Sequence, residues 1–442
     1  MARRKQAPVE MEMDIRDLAH DGRGVGQAES GKTVFAHGAL PGERVVVRRE
    51  KKRRELDEGV TETVLRPSEE RVEPRCTFFG QCGGCSLQHL APDAQRRYKQ
   101  RMLLEQLRRL GGVDPEQVLP TLEGPEWGYR RRARLGVKDV PRKGRVLVGF
   151  RERRTPYITD MTRCEVLVPQ VGERLEALSE LVGKLSVRAR LPQIEVAAGD
   201  DDTALVLRHL DPFTPDDLGI LRDFERETGF WIHLQPKGPD TVRPLSESAP
   251  ALSYRLPAHD VEIRFRPTDF IQINRDINRA MIDQALEWLA PTPDDEVLDL
   301  FSGLGNFALP IARAGARVTA VEGEDGLVAR GRDNAERNGL GERVDFHVAN
   351  LFEDVSVFPW AQRDYRLAVL DPPRSGAHEI IPRLAAMGVE RIVYVSCHPA
   401  TLARDAGQLV NEAGYHLKAA GIMDMFPHTG HAEAMAVFER KG

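Results

Sequence analysis

Hydrophobic and polar positions alternate most regularly in the C-terminal part of the chain, from about residue 265 onwards. Short apolar runs are separated there by amphipathic stretches, in which apolar residues recur at helical spacing. The runs predict strands at 296–300, 317–321, 344–348, 367–370 and 391–395, and the amphipathic stretches predict helices at 276–290, 305–314, 325–338, 378–387 and 399–412. Strands that alternate with helices are typical of a doubly wound parallel sheet. The pattern therefore predicts an α/β domain over residues 265–442.

Residues 1–66 show a different pattern, with short apolar runs and frequent glycine and proline. Strands are predicted at 9–15, 32–36, 44–49 and 59–65, with glycine-rich turns at 21–26 and 37–42. Closely spaced strands between such turns are typical of a small β-barrel. Five-stranded barrels of the OB type commonly bind oligonucleotides, so a nucleic-acid-binding barrel is predicted as the first domain.

Residues 67–264, between these two parts, mix both patterns. An amphipathic helix is predicted at 92–110 and a single further helical stretch near 169–187. Strands are predicted at 146–150, 194–198, 204–207 and 231–234. This mixture predicts a separate, central α+β domain.

Composition and charge narrow the function classes. No apolar run approaches the ~20 residues that a membrane span needs, and no apolar region follows the basic N-terminus, so a cytoplasmic protein is expected. Net charge is −5, but residues 44–54 hold seven Arg or Lys against one acidic residue, and residues 127–154 hold eleven against two. Local basic stretches in an acidic chain favour an enzyme that binds a polyanion such as RNA.

Suggestive polar groups follow several predicted strands of the α/β domain. In doubly wound sheets, ligands bind where the carboxyl ends of the strands lie, and glycines there let the backbone approach a ligand closely. The loop lacks the dinucleotide fingerprint G-x-G-x-x-G. The groups are the loop Asp299-Leu-Phe-Ser-Gly-Leu-Gly-Asn-Phe307, Glu322, Asn350 and Asp371-Pro-Pro-Arg374. Together they predict a class I (Rossmann-like) methyltransferase fold that binds S-adenosyl-L-methionine.

Cys397 follows the predicted strand 391–395, which places it at the same edge of the sheet. A thiolate that adds to C6 of uracil activates C5 towards an electrophilic methyl group, and a base must then remove the C5 proton. Glu433, beside two histidines, is the predicted base. Enzymes that methylate an exocyclic amine usually have an aromatic residue after the two prolines, and here Arg374 follows them, so that reaction is disfavoured. RNA cytosine-5 methyltransferases usually have a second cysteine in the motif at the end of this strand, and here there is only Cys397, so that reaction is disfavoured as well.

The other four cysteines are Cys76, Cys82, Cys85 and the distant Cys164. Cysteines of a cytosolic chain favour metal binding or catalysis over disulfides. Four thiolates suit tetrahedral zinc and iron–sulfur clusters equally well. Spacing alone leaves both metals open.

Taken together, these motifs resemble the RNA uracil-5-methyltransferases, and the barrel resembles a TRAM domain. Having both the barrel and the cysteine cluster, the chain is similar to the branch that acts on 23S ribosomal RNA, and Trp127-Gly-Tyr-Arg-Arg-Arg-Ala-Arg-Leu135 strengthens that match. The motifs that carry the resemblance are Cys76-x5-Cys82-Gly-Gly-Cys85, Cys164, Phe270-Ile-Gln-Ile-Asn274, the loop 299–307, Asp371-Pro-Pro-Arg374, Ser396-Cys-His-Pro399 and His428-Thr-Gly-His-Ala-Glu433.

The resemblance implies a set of roles. Cys397 is the implied nucleophile and Glu433 the implied base. The implied ligands of a [4Fe-4S] cluster are Cys76, Cys82, Cys85 and Cys164, and the implied lining of the S-adenosyl-L-methionine pocket is Gln272, Phe301, Asn306, Glu322, Asn350 and Asp371. The implied substrate is a flipped uridine in a single-stranded or looped segment of 23S ribosomal RNA, with no obligate protein partner. Transfer RNA or another ribosomal uridine as substrate, and a non-catalytic RNA-binding assembly factor, remain alternatives.

Overall fold

A computed structural model describes residues 9–441, so residues 1–8 of the predicted first domain and residue 442 lie outside the described part. The chain forms two compact units. The first consists of residues 9–102 with two short segments, 151–159 and 426–431. The remaining residues form the second unit, and each unit is described by itself below.

Five strands of the first unit close into a barrel in the order β1-β2-β3-β5-β4. They are β1 Glu10–Leu18, β2 Gly24–Gln27, β3 Thr33–His37, β4 Arg44–Lys52 and β5 Leu56–Arg66. Alternate side chains fill the interior, among them Ile15, Val34 and Val47. The predicted barrel is confirmed, but the turn predicted at 21–26 is partly wrong, because β2 occupies its second half. A Cβ on Gly24 would lie 2.9 Å from the Ala39 carbonyl oxygen, so this glycine serves close packing of the barrel wall.

The rest of the first unit surrounds the cysteine segment, residues 76–85. Helix α1, Pro92–Gln106, follows this segment and continues as a π-turn at Leu107–Gly111 that belongs to the second unit. Backbone hydrogen bonds join residues 81 and 83 to residues 151–153. The amides of Ser86 and Leu87 both donate to the carbonyl oxygen of His428, each at 2.9 Å. The cysteine segment is therefore tied on both sides to stretches that are distant in sequence.

The second unit contains a six-stranded sheet in the order β12-β11-β10-β9-β7-β8. The short strand β6, Gln117–Val118, precedes this six-stranded sheet in the chain. The strands of the six-stranded sheet and the helices between them are β7 Arg132–Val140, β8 Arg145–Gly149, α2 Pro169–Gly172, α3 Leu175–Lys184, β9 Gln193–Ala198, β10 Thr203–Arg208, α4 Pro215–Thr228, β11 Phe230–Gln235 and β12 Arg243–Pro244. The prediction of one helical stretch here is wrong. Helix α4 begins with a capping box formed by Thr214 and Asp217 and buries Leu221 and Phe224. The capping box indicates the start of a helix in the sequence, but the many charged residues of α4 make its apolar spacing hard to recognise.

A hairpin and an eight-stranded sheet complete the second unit. The hairpin strands are β13 Leu252–Leu256 and β14 Val261–Phe265. The elements that follow are α5 Arg275–Leu289, β15 Glu296–Leu300, α6 Ala308–Arg313, β16 Arg317–Glu322, α7 Asp325–Arg337, β17 Val344–Val348, β18 Leu367–Leu370, α8 Ile381–Ala386, β19 Arg391–Ser396, α9 Pro399–Asn411, β20 Tyr415–Met423 and β21 Glu433–Arg440. The order β17-β16-β15-β18-β19-β21-β20-β6 confirms the predicted doubly wound sheet.

Strands β15 to β19 are parallel. Strands β15, β16, β18 and β19 are buried along most of their length, which is why they read as apolar runs in the sequence, whereas β17 at the edge of the sheet alternates buried and exposed residues. The chain passes from β15 to β16 on one side, whereas β18 pairs with β15 on the other. Such a reversal opens a crevice beyond the carboxyl ends of the two central strands. Within residues 9–441, no helix has the length and hydropathy needed to cross a membrane.

Candidate active site

A cavity of about 530 Å³ lies at the carboxyl ends of the strands of the eight-stranded sheet. It is lined by loops that follow β15, β16, β17, β18 and β19, together with residues from the segment before α5. All eight residues predicted for the cofactor pocket and for catalysis line this one cavity: Gln272, Phe301, Asn306, Glu322, Asn350, Asp371, Cys397 and Glu433.

The loop after β15 turns sharply around the cavity. Phe301 has a φ of 62°, in the left-handed region that a non-glycine residue rarely adopts, and Gly305 has a φ of 92°. A Cβ on Gly305 would lie 3.0 Å from Leu309 and 3.2 Å from Phe346, so both backbone geometry and space require glycine. The sequence signal Gly-x-Gly therefore reflects a real constraint of this loop.

Glu322, the last residue of β16, holds this loop in place. One carboxylate oxygen accepts a hydrogen bond from the Gly303 amide at 3.0 Å. The other accepts from the amides of Gly323 at 2.7 Å and Glu324 at 3.1 Å. Glu322 thus fixes two loops at the edge of the sheet and presents a carboxylate suited to ribose hydroxyls.

Asn306 and Gln272 are both anchored by side chains around the cavity. The Tyr254 hydroxyl donates to Asn306 Oδ1 at 2.8 Å, and the amides of Asn306 and Asn278 bond each other at 2.9 and 3.1 Å. Gln272 Nε2 donates to Asp371 Oδ2 at 3.3 Å. Sequence analysis missed Tyr254, which lines the cavity, and Asn278, which bonds to Asn306, because neither belongs to a motif and only packing brings them to these positions.

Asn350 lies at the exposed rim of the cavity, after β17. Its Nδ2 donates to Glu353 at 2.7 Å and its Oδ1 accepts from the Phe352 amide at 3.2 Å. The Phe352 ring in turn contacts the Phe301 ring, with centroids 5.8 Å apart. Asn350 thereby shapes a turn that places an aromatic ring at the mouth of the cavity.

Cys397 and Glu433 occupy facing positions on neighbouring strands. Strands β19 and β21 are antiparallel, and their last paired residues are Ser396 and Ala434. Cys397 follows Ser396, and Glu433 precedes Ala434, so the next pair in this register is Cys397 with Glu433. Directly opposite residues of an antiparallel pair lie about 4.5–5.5 Å apart between Cα atoms. The register therefore brings a thiol and a carboxyl group together beside the cavity.

The ionisable groups of the cavity lie in surroundings that disfavour negative charge. The pKa of Glu433 is raised to about 8, first by burial and then by the neighbouring Asp371, while Arg374 opposes both effects. Burial likewise raises the pKa of Asp371 to about 7. The pKa of the Cys397 thiol is raised by burial and then by Glu433 and Asp371, and Arg374 lowers it. The two carboxyl groups can thus change protonation state near neutral pH, as proton-transfer chemistry requires.

Asp299, the fourth residue of β15, is a buried acid to which sequence analysis gave no separate role. It is 1% exposed, and burial raises its pKa well above the usual range, with Asp371 and Glu322 adding to the effect. A buried neutral carboxyl group at this strand end would add no negative charge to the cavity.

The predicted metal ligands fall in different parts of the chain. Cys82 and Cys164 are buried, and Cys76 and Cys85 are partly exposed. Burial raises the pKa of Cys82, while the Arg153 guanidinium lowers it and donates a hydrogen bond to the Cys85 carbonyl oxygen. A cation beside cysteines favours their thiolate forms, which are the forms that bind metals. Across residues 9–441, however, no three His, Cys, Asp or Glu side chains are arranged as a metal site.

Comparisons with known proteins agree with this geometry. The tRNA (Uracil-5-)-methyltransferase family profile matches residues 245–441, and the TRAM domain profile matches residues 9–55. A 23S rRNA (uracil(1939)-C(5))-methyltransferase RlmD from Alkalilimnicola ehrlichii is 53% identical over 441 residues, which cover 99% of each chain. The protein of the same description from Hahella chejuensis is 50% identical, again over 99% of each chain.

A solved structure shares the fold over nearly the whole length. The Pyrococcus abyssi tRNA (uracil-54, C5)-methyltransferase, in complex with S-adenosyl-L-homocysteine, is 26% identical, with a TM-score of 0.75 over 97% of this chain and 100% of that one. The two full-length relatives, at 53% and 50% identity, define the family of the present chain more closely than this structure does at 26% identity. The chain belongs to the family of the 23S rRNA (uracil(1939)-C(5))-methyltransferases.

Proposed function

We propose that this protein methylates C5 of a uridine in 23S ribosomal RNA, the uridine at position 1939 named for its relatives, with S-adenosyl-L-methionine as methyl donor. The observation that carries the proposal is the single cavity that gathers all the predicted cofactor and catalytic residues. The full-length identity to relatives of this description supports it. An RNA substrate of this kind places the reaction in the cytoplasm.

The proposed reaction begins at Cys397. Its thiolate forms a bond to C6 of the uracil, and the electrons of the C5–C6 double bond move into an enolate. S-adenosyl-L-methionine, when bound, would supply an electrophilic methyl group: C5 bonds to this carbon as the bond from the carbon to the sulfonium sulfur breaks, and S-adenosyl-L-homocysteine is the leaving group. Glu433 takes the proton from C5; the C–H electrons restore the double bond, and the bond between sulfur and C6 breaks. The product is 5-methyluridine, and the thiolate is regenerated.

The electrostatics of the cavity suit this order of events. A charged Glu433 raises the pKa of Cys397, so the thiolate forms more readily while Glu433 is still protonated. Bonding of the sulfur to carbon removes the thiolate charge. Two like charges at close range disfavour each other, so the loss of one favours ionisation of Glu433, which is then ready to accept the C5 proton.

The test is a denaturing gel of labelled RNA incubated with enzyme and S-adenosyl-L-methionine. Cys397→Ala should form no covalent adduct and no product, while Glu433→Gln should accumulate the methylated adduct because the C5 proton cannot leave. RNA with 5-fluorouridine at the target position should trap the wild-type enzyme in the same way. A shifted band with Cys397→Ala would disprove the thiol's role, and normal turnover by Glu433→Gln would show that another group takes the proton.

The RNA substrate is testable in cells. A thiol reaches C6 only if the base leaves its stack, so we propose a flipped uridine in a single-stranded or looped segment. Mass-spectrometric mapping of ribosomal RNA from cells that lack the protein should show loss of one 5-methyluridine in 23S RNA. Loss of 5-methyluridine from transfer RNA alone would instead favour the activity named for the Pyrococcus abyssi structure, and no loss at all would favour a non-catalytic assembly role.

We propose further that Cys76, Cys82, Cys85 and Cys164 ligate a [4Fe-4S] cluster, which would order the polypeptide and take no part in methyl transfer. The support is the set of four cysteines, the Arg153 guanidinium near Cys82 and Cys85, and the similar motif in the family. An anaerobic preparation should be brown, with broad absorbance near ~400 nm. A colourless protein that contains stoichiometric zinc would overturn the iron assignment.

A further inference from the structure

Arg131 belongs to the basic stretch 127–154 that sequence analysis predicted to face RNA, but its side chain does not face solvent. It immediately precedes β7 and is only 2% exposed. Arg134, three residues further on, has a side chain that is 71% exposed. A buried guanidinium is costly unless its contacts compensate, so the contacts of Arg131 indicate what it does.

The first contacts of Arg131 are with the main chain that carries Gln272. The Arg131 amide donates to the carbonyl oxygen of Ile273 at 3.0 Å, and its side-chain Nε donates to the carbonyl oxygen of Gln272 at 3.1 Å. Two hydrogen bonds from one residue therefore fix consecutive peptide groups of this cavity segment. Gln272 itself reaches Asp371 with its side-chain amide.

The second contact of Arg131 is with Tyr254. The guanidinium carbon lies 4.8 Å from the centre of the Tyr254 ring, in a cation–π arrangement. Tyr254 is 3% exposed, and its hydroxyl donates to Asn306 at 2.8 Å. Arg131 thus fixes the ring whose hydroxyl orients Asn306 on the other side of the cavity.

The charge of Arg131 is held by Asp200. Arg131 Nη1 lies 3.5 Å from Asp200 Oδ1, and Arg279 Nη2 donates to the same carboxylate at 2.9 Å. Burial lowers the pKa of Arg131 to about 10, so the guanidinium remains charged at neutral pH. Its Nη2 is buried without a hydrogen-bond partner in the described chain. Only a planar group with several donors can contact the peptide oxygen, the ring and the carboxylate together.

We propose that Arg131 is a positioning residue for the methyl donor: it holds Gln272 and Asn306, from two sides of the cavity, in the geometry that binds S-adenosyl-L-methionine. The inference rests on the proposed function, which assigns the cavity to this molecule. It gives a buried arginine of the basic stretch a role in cofactor binding in place of RNA contact.

The test measures binding of S-adenosyl-L-homocysteine by calorimetry in the absence of RNA. Arg131→Lys keeps the charge but loses the planar fork, and should raise Kd about tenfold, the order expected for loss of one charge-assisted hydrogen bond. Tyr254→Phe, which removes only the hydroxyl bond to Asn306, should raise Kd about threefold to tenfold. Arg134→Met, on the same strand but exposed, should leave Kd unchanged.

Kinetics and melting separate positioning from general stability. For Arg131→Lys we expect a higher KM for S-adenosyl-L-methionine with little change in KM for RNA. A lower melting temperature with an unchanged Kd for S-adenosyl-L-homocysteine would overturn the proposal, and so would a defect confined to RNA binding. If the wild-type protein fails to bind S-adenosyl-L-homocysteine, the proposed function fails instead, and the two failures are distinguishable.

Discussion

The cavity of the eight-stranded sheet and the surface of the N-terminal barrel both carry many ionisable groups, but in opposite settings. On the barrel, charged groups are paired and at least partly exposed to solvent: Arg44 lies 2.6 Å from Glu12, and Arg53 lies 2.7 Å from Glu58. In the cavity, Glu433 is 4% exposed and its pKa is raised to about 8. Charged groups in contact with solvent can attract an oppositely charged partner, whereas poorly solvated acids can exchange protons.

This difference separates two kinds of experiment. Substitutions in the cavity should change the chemistry and its dependence on pH. Substitutions on the barrel should change RNA affinity and its dependence on salt, because exposed charges interact with a polyanion through screened, long-range forces. An effect of the wrong kind at either place would break the comparison.

The largest effect is expected for the nucleophile. Cys397→Ala removes the atom that bonds to C6, so turnover at saturating RNA and S-adenosyl-L-methionine should fall by at least ~10⁴-fold. Binding of S-adenosyl-L-homocysteine should change little, because the thiol is not needed to hold the donor. A single-turnover assay with labelled methyl donor measures the rate, and residual turnover within ~10-fold of wild type would rule out covalent catalysis by Cys397.

A second effect concerns stability and follows from the raised pKa of Glu433. The folded state holds the Glu433 proton more tightly than the unfolded state, whose carboxyl group has a pKa near 4.5. Stability is therefore lost as pH rises from 4.5 through about 8. Glu433→Gln removes this loss, and each unit of pKa shift corresponds to about 1.4 kcal/mol.

At pH 9 we therefore expect Glu433→Gln to melt several degrees higher than wild type. At pH 5 the two melting temperatures should be nearly the same. Differential scanning calorimetry at both pH values provides the measurement. A constant difference across the two pH values would show that Glu433 is not protonated in the folded protein at neutral pH. Glu12→Gln on the barrel serves as the control, because this acid is exposed and paired with Arg44.

A third, smaller effect is expected in the pH profile of the rate. Cys397 and Glu433 both act in their deprotonated forms, and the pKa of each is raised, so the rate should increase with pH and should still be increasing above about 8, the raised pKa of Glu433. Arg374 lowers the pKa of both groups. Arg374→Met should therefore move the rise to higher pH, by about half a unit for an exposed charge. A barrel variant such as Arg44→Met should leave the profile in place, and an unmoved profile for Arg374→Met would refute the assigned influence.

The sequence predicted the doubly wound sheet well because its central strands are buried on both faces. Strand 367–370 was placed at its observed bounds, since a continuous apolar run leaves little choice. The edge strand 344–348 was also placed at its observed bounds, but from the alternation of the buried Val344 and Phe346 with the exposed Asp345. The cavity residues could be predicted for a related reason: they follow strands, and strand ends in such a sheet converge at one edge. Local sequence pattern and sheet topology together were sufficient to predict the residues that line the cavity.

Packing between distant segments explains what could not be predicted. Tyr254 reaches the cavity, and Asn278 reaches Asn306, only after the hairpin β13–β14 and helix α5 fold against the sheet. Arg131 reads as one more surface charge in a basic stretch, and nothing in its immediate sequence distinguishes it from the exposed Arg134. The density of positive charge along a chain indicates that it binds a polyanion, but only tertiary packing determines which of these charges stay exposed and can contact it.

The smallest effect concerns the salt dependence of RNA binding. Lys52, at the end of β4, and Arg54, in the following turn, are exposed, and neither forms an ion pair within the described part of the chain. Their charges are therefore available to phosphates, unlike those of Arg44 and Arg53. Each phosphate contact contributes about 0.7–0.9 to the slope of log affinity against log salt. The double variant Lys52→Gln, Arg54→Gln should reduce that slope by about 1.4–1.8 if both residues contact RNA.

The matched control removes two exposed positive charges elsewhere. Lys184→Gln on α3 and Arg222→Gln on α4 change the net charge by the same amount, and both residues are exposed. Filter binding of the ribosomal RNA segment between ~50 and ~200 mM salt gives both slopes. Equal slopes for the two double variants would mean that RNA senses only the net charge of the protein. A shallower slope for the barrel variant alone would show that phosphates contact the turn between β4 and β5, and that the unpaired charges of the barrel, rather than its ion pairs, bind the RNA.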